Sequence, residues 1–182
     1  MFISGGSKSG KSMHAQLLAK KMRKPDKPLY YLATMIPADD EDQSRIERHR
    51  SEREGWGFIT VEAGNDLPLA IRNCDNSGVF LLDSITALLA NEMFTKEGHF
   101  QESACKKVTD DLTGIICKVD NLAIVSDSIN SDAFIYDSLT ETFRRSLAEI
   151  SRIVARICDV VIEVSAGIPI IHKGGELYHG LD

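Results

Sequence analysis

Residues 5–12 read Gly-Gly-Ser-Lys-Ser-Gly-Lys-Ser and fill every fixed position of the pattern G-x-x-x-x-G-K-[ST]. Phosphate chemistry calls for these residue types. Gly5, Gly6 and Gly10 let the backbone turn tightly through Ser7, Lys8 and Ser9, so that successive N–H groups can face phosphate oxygens. Lys11 is expected to reach the β- and γ-phosphates, and the Ser12 hydroxyl to ligate Mg2+. The loop follows the apolar pair Phe2-Ile3 and precedes the helical run His14-Ala15-Gln16-Leu17-Leu18-Ala19-Lys20. That strand–loop–helix setting separates it from an ordinary Gly/Ser turn. A second signal is Val79-Phe80-Leu81-Leu82-Asp83, an apolar strand that ends in a carboxylate. Asp83 suits the metal, directly or through water, and it equally suits the N-cap of a following helix; the two roles are compatible.

The third chemical signal is His49. Its segment begins Asp39-Asp40-Glu41-Asp42 and ends with Arg48, Arg50 and Arg53, the order that complements a helix macrodipole. Steps of four place Glu41, Arg45, His49 and Arg53 along one face. Guanidinium groups beside an imidazole favour its neutral, nucleophilic form and can neutralise phosphates brought up to it. On these residues alone, His49 fits an inert surface histidine as well.

The elements that must position these groups follow from the hydropathy pattern. Strands are predicted at 1–4, 29–33, 58–62, 79–82, 122–126, 160–165 and 169–172, and helices at 11–22, 40–53, 67–73, 85–94, 101–120 and 138–158. Strands apolar on both faces and separated by helices predict an α/β fold with a mostly parallel sheet covered on both sides. The segment 127–136 has no clear pattern. The tail, 174–182, opens with two glycines and is expected to fray.

Composition narrows the function classes. The 182 residues are 43% hydrophobic and 26% charged, enough for one packed domain over 1–182 and incompatible with wholesale disorder. A net charge of -6 argues against general nucleic-acid binding. No apolar run reaches the roughly 20 residues of a membrane span, and the start lacks a signal-peptide pattern, so a cytoplasmic protein is expected. Cys74, Cys105, Cys117 and Cys158 lie far apart without a C-x-x-C pair and read as structural thiols.

Taken in order, these segments resemble the bifunctional adenosylcobinamide kinase/adenosylcobinamide-phosphate guanylyltransferase family of cobalamin biosynthesis. The resemblance rests on the loop at residues 5–12, Tyr31-Leu32-Ala33-Thr34, and Arg45-Ile46-Glu47-Arg48-His49-Arg50. It continues through Arg53, Trp56, Glu62, Leu81-Leu82-Asp83-Ser84-Ile85-Thr86 and Asn91, and loosens in the C-terminal half. It implies a RecA-like P-loop NTPase fold of three layers, with GTP, ATP and a corrinoid, adenosylcobinamide, as substrates and Mg2+ as cofactor. The implied reactions are phosphorylation of the corrinoid's hydroxyl and transfer of GMP from GTP to the product, giving adenosyl-GDP-cobinamide. By the same resemblance His49 carries the GMP. Thr34, Met35, Arg50, Ser51, Glu52, Arg53, Glu62 and Asp83 lie near the guanine nucleotide, and the assembly is a homotrimer.

The sequence departs from the family at Asp127-Ser128-Ile129-Asn130, where Asn-Glu-Val-Gly is usual. That stretch belongs at the C-terminal edge of the sheet, where α/β proteins bind ligands. Two other readings stay open on the residues: a P-loop kinase of another small molecule with His49 a bystander, and a GTP-binding homologue without turnover.

Lys11→Ala is expected to lower kcat/KM for phosphoryl transfer by roughly 10²–10³, because charge developing on the transferred group loses its nearest cation. Steady-state kinetics on the purified variant checks this; values within a few-fold of the parent would remove the loop from the chemistry.

Overall fold

The structure, a computed structural model, describes residues 1–37, 39–95, 98–129 and 134–181; the side chain of Arg45 lies outside the described set, as does Asn130. In chain order the elements are β1 (Phe2–Gly5), α1 (Lys11–Met22), β2 (Leu29–Ala33), α2 (Asp40–Glu52), β3 (Phe58–Glu62), α3 (Leu67–Ala70) and β4 (Val79–Asp83). They continue with α4 (Ile85–Met93), α5 (Ala104–Lys118), β5 (Asn121–Asp127), α6 (Ser138–Ile157), β6 (Val161–Ser165), β7 (Ile168–Lys173) and α7 (Gly175–His179). The seven strands form one sheet in the order β3-β2-β4-β5-β1-β6-β7, parallel throughout except for the final antiparallel pair β6–β7.

The central strands show why both faces are covered. Along β4, Phe80 and Leu82 point into one apolar layer, while Val79 and Leu81 point into the other. β5 repeats the alternation, with Leu122 and Ile124 on one side and Ala123 and Val125 on the other. The first layer packs beneath α3, α4, α5 and α6 through residues such as Leu88, Leu112, Leu147 and Ile150. The second packs beneath α1 through Ala15, Leu18 and Ala19. Two helical layers therefore enclose the sheet, the three-layer arrangement of a RecA-like P-loop protein.

Parallel pairing also sets the level of the strand ends. The register pairs Gly5 with Asp127 across β1–β5, Ala33 with Asp83 across β2–β4, and Asp83 with Val125 across β4–β5. The loops that follow β1, β2, β4 and β5 consequently meet at one edge. The helix α2 stands over that edge. Asp39 caps it by accepting the Asp42 N–H at 2.9 Å, with Asp40, Glu41 and Asp42 in the first turn and His49 and Arg50 in the last. None of its described side chains is buried, but Arg53, the residue that caps its end, is.

Three expectations change. The helix predicted at 67–73 ends at Ala70, and the one predicted at 101–120 starts at Ala104 and ends at Lys118. The tail does not fray: 175–179 is helical, and Tyr178 and Leu181 pack against the layer beneath α1. Their spacing puts both on the side of the turn that faces α1, where Tyr178 and His14 come within 3.3 Å (hydroxyl to Nε2). The cysteines are free thiols; Cys158 is buried and Cys117 exposed. Among the described residues no helix is long and apolar enough to cross a membrane.

The chain enters the last helix through Gly174, at φ +73°, where an added Cβ would lie 2.2 Å from the Asp159 carbonyl oxygen. Gly174→Ala is expected to destabilise the protein by about 1–3 kcal/mol through overpacking and left-handed strain. A urea titration followed by circular dichroism measures it, and an unchanged midpoint would return the tail to the frayed state.

Candidate active site

The loop of residues 5–12 wraps the end of β1 and enters α1 through Gly10 at φ +91°. Gly5 is required by space: an added Cβ would lie 2.5 Å from both Ser9 Oγ and the Val164 carbonyl oxygen. The hairpin between β6 and β7 braces the loop from outside, with the Gly167 N–H donating to Ser9 O at 2.9 Å. Lys11 is buried, and its Nζ lies 3.2 Å from the Gly6 carbonyl oxygen and 2.6 Å from Asp127 Oδ1.

Asp83 ends β4 beside this loop. Ser12 Oγ donates to its Oδ1 at 3.3 Å, and the Tyr31 hydroxyl donates to its Oδ2 at 3.1 Å. Burial pushes the Asp83 carboxyl above the usual carboxylate range, against the pull of His49 and of the Tyr31, Ser12 and Lys11 groups. The Tyr31 hydroxyl is raised well above its ordinary value, first by burial and then by the Asp83 charge. Arg53 lies over the Tyr31 ring, its guanidinium carbon 3.7 Å from the centroid, and stays buried there. A line of contacts thus runs from Arg53 through Tyr31 and Asp83 to Ser12.

The turn after β2 is fixed by its own hydrogen bonds. Thr34 Oγ1 accepts the Ser84 N–H at 2.6 Å and donates to Ser84 O at 2.9 Å. Asn91 Nδ2 donates to Thr34 O at 2.7 Å and to Gly64 O at 2.8 Å. Thr34 therefore shapes the site through Ser84, and the neighbouring Met35 lines it.

Two cavities meet here. The larger, about 740 Å³, is lined by Lys8, Lys11 and Ser12 of the loop and by Asp127. The smaller, about 290 Å³, is lined by Tyr31, Arg50, Arg53, Thr60 and Glu62. Met35, His49, Asp83 and Ser84 line both. Of the residues singled out on α2, His49 faces both cavities, Glu52 the larger, Arg50 and Arg53 the smaller, and Ser51 neither.

His49 shares the larger cavity with Arg48 and the smaller with Arg50 and Arg53, and a carboxylate stands beside it as well. Its Nδ1 is buried 3.3 Å from Glu52 Oε2, without the alignment of a hydrogen bond. Arg53 has turned away to stack on Tyr31. The imidazole thus has a carboxylate beside one nitrogen, an arrangement that favours the tautomer with hydrogen on Nδ1.

Several residues of the site carried no assigned role in the sequence. Tyr31 and Asn91 act through hydrogen bonds that no local pattern announces. Asp127 had a usable signal, since it ends an apolar strand as Asp83 does. For Mg2+, the Ser12 hydroxyl and the Asp83 carboxylate offer adjacent hard oxygens, and such a site needs few protein ligands because phosphates and water complete it.

Comparison with known proteins gives a consistent set of matches. The family profile described as cobinamide kinase / cobinamide phosphate guanyltransferase matches residues 1–171. The bifunctional adenosylcobalamin biosynthesis protein CobU of Salmonella typhimurium is 26% identical over 181 residues, covering 92% of this chain and 96% of that protein. Its namesake in Escherichia coli is 35% identical over 100 residues, 54% of this chain and about half of the relative, 52%. A solved protein of Pyrococcus horikoshii OT3 has a TM-score of 0.51 at 9% identity, over 94% of this chain and 84% of that one, a likeness of fold alone.

Because burial raises the Asp83 carboxyl, its ionisation costs more in the folded than in the unfolded chain. The stability tied to its proton is complete below the unfolded carboxylate value, about 3.9, and is lost as pH rises through the higher folded value. Asp83→Asn is therefore expected to raise the urea midpoint at pH 7, with the gain vanishing below about pH 3.9. The same variant is expected to lose roughly 10²-fold or more in Mg2+-dependent turnover. Denaturation at both pH values and a Mg2+ titration of the rate test the two halves; unchanged turnover would leave Asp83 as the anchor of Ser12 and Tyr31 only.

Proposed function

The chain belongs to the cobinamide kinase / cobinamide phosphate guanyltransferase family, the bifunctional enzymes of cobalamin biosynthesis, and on that premise we propose that both reactions use the site described above, with His49 as the guanylyl carrier. The observation that carries the reading is that His49 lines the wall common to the phosphate-loop cavity and the smaller cavity. A nucleotide with its phosphates in the first presents them to the imidazole at the boundary with the second.

In the kinase reaction the hydroxyl of adenosylcobinamide is the nucleophile, so the protein supplies position and positive charge. The backbone N–H groups of residues 5–12 hold the phosphates of ATP or GTP, and Lys11 moves onto the β- and γ-phosphates. Ser12 and Asp83 would hold Mg2+, which supplies further charge neutralisation at the phosphate oxygens when bound.

In the guanylyl reaction the enzyme supplies its own nucleophile. The lone pair of the unprotonated His49 nitrogen attacks the α-phosphorus of GTP; a nitrogen–phosphorus bond forms, the bond to the β-phosphate's bridging oxygen breaks, and pyrophosphate leaves with that electron pair. Glu52, beside Nδ1, orients the ring and stabilises the charge it acquires. A phosphate oxygen of adenosylcobinamide phosphate then displaces the histidine and takes the GMP. Glu62 in the smaller cavity offers the carboxylate acceptors that match the N1–H and 2-amino donors of guanine, and adenine lacks that pair of donors. A cytoplasmic homotrimer, with residues 1–182 as one catalytic domain, belongs to the same reading and is supported by the family likeness.

His49→Ala is expected to abolish protein labelling from [α-³²P]GTP while leaving phosphorylation of cobinamide within a few-fold of the parent. Both half-reactions should be run on one preparation whose fold is checked by circular dichroism. The parent's label should be acid-labile and base-stable, as a phosphoramidate is; undiminished labelling of the variant would end the assignment.

A further inference from the structure

Beyond the turn that carries Thr34 and Met35 lies a third cavity, about 720 Å³, to which the two reactions as described give no occupant. Ile36 and Pro37 of that turn form its near wall, and Pro37 lines the smaller nucleotide cavity as well. α4 supplies Asn91 and Glu92, and α5 with its N-cap Ser103 supplies the opposite side. Asn91 joins this cavity to the site. Its Nδ2 donates to Thr34 O at 2.7 Å, and Thr34 Oγ1 accepts the Ser84 N–H at 2.6 Å. With one residue between those two bonds, Asn91 Nδ2 lies within roughly 10 Å of the Ser84 nitrogen. Ser84 lines both nucleotide cavities.

The lining suits a large neutral molecule. Lys107 pairs with Glu92 and lies 3.2 Å from Asp111 Oδ2, and Glu92 also accepts the Asp66 N–H at 3.0 Å. The charges of this wall therefore balance each other, and a phosphate would meet a carboxylate beside the lysine. Asn65, Gln101 and Ser103 line the cavity from exposed positions, and Ser103 does not use its hydroxyl to cap α5. Their amides and hydroxyl can both donate and accept hydrogen bonds. Facing them is an apolar wall of Ile36, Pro37 and Phe94. Phe94 is 41% exposed yet held in place, its ring centroid 5.8 Å from that of Phe100 and 6.1 Å from that of Phe143. A fixed aromatic face bordered by amides and a hydroxyl matches a flat apolar ring that carries carboxamide arms.

We propose that this cavity seats the corrinoid substrate, with one edge of the corrin ring on Ile36, Pro37 and Phe94 and its carboxamides on Asn65, Gln101 and Ser103. The inference rests on the two-reaction reading above and adds to it the place of the second substrate. The arm that ends in the reacting hydroxyl is a propionamide extended by aminopropanol. It has about seven bonds from ring to oxygen and spans roughly 9 Å when extended. That length matches the separation between the cavity and Ser84. The ring therefore stays outside the nucleotide cavities while the arm crosses the turn toward the phosphates. One seat then serves both reactions: the arm first brings its hydroxyl to the γ-phosphorus, and later, phosphorylated, brings its phosphate to His49.

The test compares the parent with Ser103→Trp, which fills the cavity from an exposed position, and with a double variant, Asn65→Ala and Gln101→Ala. Cobinamide binding is followed by calorimetry and its phosphorylation by steady-state kinetics. Labelling from [α-³²P]GTP, which needs no corrinoid, reports the nucleotide site. The Kd and KM for cobinamide should rise roughly tenfold or more in Ser103→Trp and several-fold in the double variant. The KM for ATP and the labelling should stay within about twofold of the parent. Unchanged cobinamide affinity in Ser103→Trp would overturn the proposal. A parallel loss of ATP use and labelling would overturn it too, giving the cavity to the nucleotide or to the fold. A parent that binds cobinamide but transfers nothing to it would fail the reaction reading alone, and the calorimetric comparison would still decide the cavity.

Discussion

The site depends on how one carboxylate, Asp83, is satisfied at the end of a central strand, where it is partly withdrawn from water. An ionised carboxylate there loses its hydration, and two hydroxyl donors offset part of that loss. One comes from β2 and the other from the first turn of α1, so the same hydrogen bonds tie three elements together at the sheet edge. Arg53 then closes over the ring of Tyr31, which couples the end of α2 to the carboxylate through a stacked face. The placement of Ser12, the packing of Arg53 and the boundary between the two cavities all gather around this carboxylate.

That boundary explains how one small domain can serve two phosphorus chemistries. Phosphoryl transfer to a substrate hydroxyl needs a cradle of N–H groups and cations, which the loop of residues 5–12 provides. Guanylyl transfer needs a nucleophile the nucleotide can reach, and on the reading proposed above His49 of α2 would provide it from over the same edge. Neither set displaces the other, because His49, Asp83 and Ser84 face both spaces. The turn carrying Thr34 and Met35, fastened by Asn91, keeps the two spaces in register.

Much of this was legible in the sequence, for physical reasons. The phosphate loop could be read because its chemistry restricts residue types at fixed spacing. The sheet could be read because strands buried on both faces must be apolar throughout, as 79–82 and 122–126 are. What could not be read depends on contacts between distant residues. The stacking of Arg53 on Tyr31, the pairing of Lys11 with Asp127, and the seat of Tyr178 beside His14 join residues that no local period relates. The carboxylate beside His49 and the stacking of Arg53 were not foreseen, because helical spacing gives the face a residue occupies but not the way long side chains turn. The helical tail was misjudged because two glycines look like the start of disorder, although one of them serves a turn that only glycine fits.

The helix α2 carries His49, the proposed guanylyl carrier, on a segment none of whose described side chains is buried, the arginine that caps its end excepted. Elements held by so few apolar contacts open at a small fraction of the free energy that unfolds the domain. The loop of residues 5–12, by contrast, is bonded into the central strands. On the proposed assignment of His49, the two activities would therefore have separate thermal and chemical lifetimes within one chain. On the reading proposed above, mild denaturant would detach His49 from the nucleotide while the phosphate cradle stays whole, leaving a chain that acts as a kinase only.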